Sequence, residues 1–297
     1  MKIIFANIRG IKSKMESLLS ILNDLKPEII IFVESHQRGN NSIKIPGYHQ
    51  TIVRNSKKKM GGGLLISIKD NLNANLILLN SNEKHEQMWV KITTDKIDYI
   101  FGIMYGIASE GRADKGEIEE WYNDLEIEYI RNMENPVVII GDMNAHIGND
   151  SEGFQGEPSH INKNGHQLRE LVKRRNLTIM NKEEICKGKY TREDPNGTKS
   201  IIDYVICNQE ATGNIKKMII DEDHLYKFTR YKKRRGECIE VPSDHNTILL
   251  EMEKSIEGKS VKQVRWSYNN PEIIKNYNKI TNEINMKENW EEKSEIN

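Results

Sequence analysis

Gly141-Asp142-Met143-Asn144 and, far downstream, Ser243-Asp244-His245 put an acid, an amide and an acid–histidine pair into one chain. That set suits phosphodiester hydrolysis. The reaction needs an activated water, positive charge at the phosphoryl oxygens and help for the leaving oxygen. Val137 to Ile140 form a β-branched apolar run, so Asp142 is expected where a buried strand ends. In an extended chain Asp142 and Asn144 would point the same way. Other polar residues end similar runs. Lys2 to Ala6 lead into Asn7, Ile29 to Val33 into Glu34, and Ile97 to Met104 into Tyr105. Asp203 is expected inside a strand over Ser200 to Ile206, and Asp244-His245 precede a last strand over Asn246 to Met252. Ligand groups gather at strand ends along one edge of α/β sheets. Apart from the imidazole these are hard oxygen donors, which suit Mg²⁺ or Mn²⁺ better than zinc. Glu34, directly behind Ile29-Ile30-Ile31-Phe32-Val33, is the leading candidate ligand.

Helices complete the frame. Met15, Leu18, Leu19, Leu22 and Leu25 share a helical face that Pro27 closes. Ile118, Trp121, Tyr122, Leu125 and Tyr129 mark a second helix. Leu168, Leu171 and Val172 mark a third, entered after Asn164-Gly165. The chain of 297 residues, 37% hydrophobic and 30% charged, is long enough for one large α/β domain and an appendage. Lysine plus arginine equals aspartate plus glutamate, so the net charge is zero, and any positive surface must be local. Cys186, Cys207 and Cys238 lack the spacing of a zinc site or a disulfide framework, which fits a reducing compartment. No apolar run reaches the roughly 20 residues of a membrane span, and no secretory leader precedes the first strand. A nuclear or cytoplasmic protein is expected, neither secreted nor membrane-bound.

The segments Ala6-Asn7-Ile8-Arg9-Gly10, Val33-Glu34-Ser35-His36, Gly61-Gly62-Gly63-Leu64 and Trp89-Val90-Lys91-Ile92 occur in that order. Gly141-Asp142-Met143-Asn144-Ala145-His146, Asn164-Gly165, Tyr190-Thr191, Ile202-Asp203-Tyr204 and Ser243-Asp244-His245 follow. As an ordered set they resemble the endonuclease/exonuclease/phosphatase superfamily. Within it they look most like the apurinic-endonuclease-like domain of non-LTR (LINE-type) retrotransposons. The resemblance covers residues 1–252 and implies an α/β layered sandwich of two mixed β-sheets flanked by helices. It also implies a Mg²⁺-dependent endonuclease that nicks one strand of double-stranded DNA, leaving a 3′-hydroxyl and a 5′-phosphate. In a retroelement that hydroxyl would prime reverse transcription. A phosphoesterase of the same superfamily acting on RNA, a lipid or an inositol phosphate is the nearest alternative. A domesticated, inactive binding module is a different one.

By that resemblance Asn7 and Asp244 help Glu34 hold the cation, although Asn7 alone also reads as a turn cap. Asp142 orients or deprotonates water, Asn144 fixes the phosphate or that acid, and His245 stabilises phosphoryl charge with Asp203 as its carboxylate partner. Tyr105 reads as a phosphate-contacting tyrosine or a core aromatic. The chain departs from the pattern in having Arg9 where some relatives carry an acid, which shifts metal binding further onto Glu34. It has Ser35 for threonine, and lacks the prolines that usually follow the tyrosine. Pro195-Asn196-Gly197 predicts a hairpin tip over Arg192 to Lys199. The corresponding hairpin in the family selects the target, so Thr191, Arg192, Asn196 and Lys199 are candidate DNA contacts. Lys232, Lys233, Arg234 and Arg235 form either a phosphate-binding run or a solvated face. Residues 253–297, rich in Lys, Glu and Asn and with a helical stretch over 271–286, read as a connector toward a reverse transcriptase or as a tail.

Overall fold

The computed structural model describes residues 1–39, 43–56, 61–95, 97–108, 115–151, 153–155, 160–234 and 237–253, with backbone only at 232–234 and 237–238. The elements in order are β1 (Lys2–Asn7), α1 (Met15–Leu25), β2 (Ile29–Val33), β3 (Gln50–Arg54), β4 (Leu64–Ile68), β5 (Ala74–Ser81), β6 (Gln87–Thr94) and β7 (Asp98–Tyr105). They continue as α2 (Lys115–Asn132), β8 (Val137–Asp142), α3 (Lys163–Arg174), β9 (Thr178–Ile179), β10 (Cys186–Lys187), β11 (Arg192–Glu193), β12 (Lys199–Ser200) and β13 (Asp203–Cys207). Last come α4 (Gln209–Thr212), β14 (Ile215–Ile220), β15 (Thr229–Arg234), β16 (Glu237–Pro242) and β17 (Ile248–Met252).

Two mixed sheets result, ordered β10-β14-β17-β1-β2-β4-β3 and β5-β6-β7-β8-β13-β9. Two small ribbons, β11-β12 and β15-β16, stand apart from them. In the first sheet β1 runs parallel to β2 and antiparallel to β17. In the second β8 runs parallel to β7 and antiparallel to β13.

The continuous apolar runs follow from burial on both faces. Alternate residues divide between two environments. Ile3, Phe5, Ile29, Ile31, Val33, Phe101, Ile103, Val138, Ile140, Val205 and Leu250 fill the space between the sheets. Their neighbours Ile4, Ala6, Ile30 and Phe32 face α1 through Leu18, Ile21 and Leu22. Ile100, Val137, Ile139 and Tyr204 face α2 and α3 through Trp121, Tyr122, Leu125, Leu168 and Leu171. The helices form where the sequence places them, and their ends have visible causes. α1 stops at Lys26, in the left-handed region (φ 49°) ahead of Pro27. Asn162 caps α3 by accepting the Gly165 N–H at 2.7 Å, so Asn164-Gly165 form its first turn rather than precede it.

The strand expected over Ser200 to Ile206 is in fact two. β12 ends at Ser200 and β13 begins at Asp203, because Ile202 and Asp203 direct their N–H groups to Thr191 Oγ1, both at 3.0 Å, and not to a neighbouring strand. The chain divides after Ile256. The expected connector and its helix at 271–286 lie outside the described residues. No described helix is long and apolar enough to cross a membrane.

Candidate active site

The alternation that builds the core also places the site. Asn7 continues the inward face of Ile3 and Phe5, Tyr105 that of Phe101 and Ile103, Asp142 that of Val138 and Ile140, and Asp203 that of Val205. All four therefore stand where the space between the sheets ends and its apolar filling gives way. Register aligns them: Asp142 lies beside Tyr105 on one side and Asp203 on the other. Asn7 bridges the two sheets, donating from Nδ2 to Glu34 Oε1 at 3.0 Å and to Asp142 Oδ2 at 2.9 Å. Ser243 Oγ donates to the Asn7 carbonyl at 3.0 Å and so pins the Ser243-Asp244-His245 segment to the end of β1.

Beyond the strand ends the backbone is strained. Arg9 (φ 45°), Glu34 (φ 51°), His36 (φ 54°) and Asn144 (φ 48°) are all left-handed, a conformation that costs non-glycine residues about 1 kcal/mol or more each and concentrates at functional sites. Glu34 receives Tyr105 OH at 2.8 Å on Oε1 and faces His36 Nε2 at 3.2 Å on Oε2. Burial opposes its charge. The hydrogen bonds from His36, Asn7 and Tyr105 and the nearby Arg9 guanidinium win, and hold the carboxyl at about 2. Burial, with Glu34 and Asp142 nearby, pushes the Tyr105 phenol far up, so it remains a donor.

His245 is buried, with Nδ1 2.9 Å from Asp203 Oδ2 and Nε2 3.8 Å from Asp142 Oδ2. Burial alone would lower its pKa. The carboxylate and hydrogen bond of Asp203, then Asp142 and Asp244, raise it to about 9. Asp142 is pushed up, chiefly by burial and then by Asp203, against His245 and hydrogen bonds from the Asn144 N–H and Asn7. The result is an imidazolium beside a carboxylate poised to take a proton, with a gap between them too long for a direct hydrogen bond.

Two groups invite a cation. Asp142, Asp203 and His245 present ligand atoms within 4.8 Å of one another. His245, however, spends Nδ1 on Asp203 and keeps its proton to about pH 9, so it offers N–H groups and no lone pair. Glu34 fits better. It stays ionised, and Asn7 Oδ1 beside it is buried without a hydrogen-bond partner, an orphaned hard acceptor that a cation or its water would satisfy.

Asp244 reaches the same edge, but Arg9 NH1 holds one of its oxygens at 2.6 Å and Arg192 Nε the other at 3.1 Å. These guanidiniums, with His245, overcome burial and keep its carboxyl at about 2. A cation at Asp244 would have to displace one of them. Asn144 does not share the direction of Asp142. The chain turns left-handed there, its N–H caps Asp142 Oδ1 at 3.0 Å, and its amide donates to the Gly106 carbonyl at 3.0 Å. Thr191 is fully buried and spent on the Ile202 and Asp203 N–H groups, so it positions Asp203 and cannot touch DNA.

The hairpin over Arg192 to Lys199 forms as expected, with Asp194 Oδ1 accepting the N–H groups of Asn196 and Thr198. Asn196 is exposed at its tip, Lys199 is exposed on β12 opposite Glu193, and Arg192 stands at its root. Lys232, Lys233 and Arg234 lie on β15 opposite Ile239, Cys238 and Glu237, while Arg235 lies outside the described residues. His36 closes the Val33-Glu34-Ser35-His36 segment in the sequence, where it reads as an ordinary histidine with no role at the site. Its one signal was its place two residues after the candidate ligand Glu34.

The sequence profile of the Endonuclease/Exonuclease/phosphatase family matches residues 4–245. Solved structures of similar fold include a 3′-5′ exonuclease, NExo, from Neisseria meningitidis, at 18% identity and TM-score 0.59, covering 86% of this chain and 100% of that one. The endonuclease domain of TRAS1, a telomere-specific non-LTR retrotransposon, aligns at 17% identity and TM-score 0.61 over 84% of this chain and 97% of its own. An AP endonuclease from Archaeoglobus fulgidus aligns at 17% and 0.58 over 86% and 100%. At such identities the likeness is one of fold. No curated protein matches the chain.

Proposed function

The chain belongs to the endonuclease/exonuclease/phosphatase family, and on that premise we propose that it is a Mg²⁺-dependent DNA endonuclease. It nicks one strand by phosphodiester hydrolysis and leaves a 3′-hydroxyl and a 5′-phosphate. The observation that carries this is Asp142, tied to Glu34 through Asn7 and separated by 3.8 Å from the charged His245. Asp142 takes the proton of the attacking water. His245, protonated below about pH 9 and oriented by Asp203, donates from Nε2 to a phosphoryl oxygen as negative charge grows there. Tyr105 keeps its proton and donates it to Glu34 Oε1 at 2.8 Å, so it orients the carboxylate that would hold the cation. A divalent cation on Glu34 and Asn7, Mg²⁺ or in its place Mn²⁺, would supply positive charge at the phosphate. Asp244, fixed by Arg9 and Arg192, couples this edge to the hairpin root.

Double-stranded DNA as substrate is supported by the fold shared with the TRAS1 endonuclease domain and with an AP endonuclease. The exposed hairpin tip, with Arg192 at its root, gives DNA a contact outside the chemistry. We assign residues 1–252 to the catalytic unit and 253–297 to a connector leading toward a reverse transcriptase, which the nick would prime. The test is conversion of supercoiled plasmid to open circles with Mg²⁺ or EDTA, beside Asp142→Ala and His245→Ala. Cation-dependent nicking lost in both variants, with ligatable 5′-phosphate ends, is the expected result. Unchanged nicking in either variant would sink the assignment. Inert DNA with turnover of RNA, a phospholipid or an inositol phosphate would replace it with another phosphoesterase.

A further inference from the structure

Glu86 and Arg54 form a buried ion pair, 5% and 6% exposed, with Arg54 NH1 2.5 Å from Glu86 Oε2. Burying such a pair gains little stability over apolar residues of similar size. Its location is more telling. Glu86 Oε2 accepts the Gly63 N–H at 3.0 Å, and a Cβ on Gly62 would fall 2.7 Å from Oε1. Both carboxylate oxygens therefore press on the Gly61-Gly62-Gly63 turn, whose three residues are all left-handed. That turn in turn holds the backbone after Glu34. Ser35 N–H donates to the Gly63 carbonyl at 2.9 Å and His36 N–H to the Gly62 carbonyl at 3.0 Å. The Glu86 main-chain carbonyl accepts the Tyr105 N–H at 2.9 Å. Arg54 is anchored from behind, its Nε donating to the Asn82 carbonyl at 3.0 Å.

We propose that Glu86, clamped by Arg54, is a positioning residue for the Glu34 cation site. Resting on the reading of Glu34 as cation ligand given above, it sets the affinity of that site for a divalent ion. One residue fixes the two groups that reach the Glu34 carboxylate from outside β1: His36 through the Glu86 side chain and the turn, and Tyr105 through the Glu86 main-chain carbonyl. It would act without touching the ion or the substrate. A carboxylate shifted by an ångström loses its ligand geometry even though the fold persists.

The test is Mn²⁺ affinity of the full chain without DNA, read from the free-ion paramagnetic resonance signal, alongside thermal denaturation of the metal-free protein. Glu34→Gln gives the reference loss. Glu86→Gln is expected to weaken Mn²⁺ binding at least tenfold at a temperature where circular dichroism shows it folded. The net-neutral double variant Arg54→Met/Glu86→Gln is expected to remain equally weak. If Glu86→Gln does not fold, Arg54→Lys, which keeps a cation but loses the Asn82 anchor, is expected to show at least a threefold loss. Wild-type affinity in the folded Glu86→Gln variant, or in Arg54→Lys where that variant is needed, with only a lower melting temperature, would make the pair merely structural and overturn the proposal. Recovery of wild-type affinity in the double variant would assign the loss to net charge and overturn it too. If Glu34→Gln itself binds Mn²⁺ like the wild type, the cation site is elsewhere and the reading beneath the proposal fails first.

Discussion

Asp203→Asn tests the electrostatics of the site most sharply. The substitution preserves size in a fully buried position and removes the carboxylate that does most to hold the His245 proton. With a pKa of about 9, His245 is about nine-tenths charged at pH 8; at the ordinary 6.5 it would be about 3% charged. The lost charge alone lowers turnover about 30-fold, equivalent to about 2 kcal/mol. Disordered ring orientation adds to this, for a total between about 10² and 10⁴. Asp203 also raises Asp142, so its removal lets the base return toward an ordinary carboxylate. Both limbs of the pH profile should therefore move toward acid. The assay is initial rates of plasmid nicking at saturating Mg²⁺ across pH 5.5 to 10, with circular dichroism to confirm the fold. A uniform drop with an unmoved profile would refute the electrostatic reasoning, and wild-type rates would refute the pairing.

Other perturbations separate the parts. Asn7→Ala removes two donated hydrogen bonds and the orphaned Oδ1, and should cost about 1–3 kcal/mol of stability and weaken Mn²⁺ binding, both measurable by calorimetry. His245 has a folded pKa above its unfolded value, so its contribution is complete below about pH 6.5 and disappears as pH rises through about 9. The metal-free wild type should lose about 3 kcal/mol across that window relative to His245→Gln, seen as converging denaturation midpoints. Trp121→Ala opens the layer between α2 and the second sheet and should cost about 3–5 kcal/mol without altering the kcat of the folded fraction at low temperature. Lys199→Ala should lower the slope of log affinity against log salt for a DNA duplex by about 1 while leaving the cleavage rate of saturated enzyme unchanged.

The layers were legible because each core strand is buried on both faces and so reads as an unbroken apolar run, with a polar residue marking its end. Asn7, Glu34, Tyr105 and Asp142 emerged from that pattern. Asp203 did as well, though its strand starts later than the apolar run suggests, because the Thr191 hydroxyl takes over hydrogen bonds that a continuous strand would give its neighbour. The same hydroxyl explains why Thr191 looks like a substrate contact in sequence and is none. Asn144 shows the limit of period-two reasoning, which fails at the first left-handed residue. Glu86 and Arg54 carried no legible signal, and His36 only its place two residues after Glu34. Their roles depend on which turn lies across the sheet from them, and a histidine or glutamate in a polar stretch gives no hint of that.

The pairing of β1 with β17 has a consequence for how the protein comes into being. The strand that carries Asn7 lies centrally in its sheet, and one of its two neighbours is β17, the last strand among the described residues, with Lys2 opposite Glu251. Ser243 and His245 reach the site only from that end. During synthesis β1 must wait, half-paired with β2, until β17 leaves the ribosome. Such long-range closure makes folding slow and leaves a sheet edge open meanwhile. It also keeps the phosphoesterase site from assembling on an unfinished chain, so activity begins only once nearly the whole domain has been made.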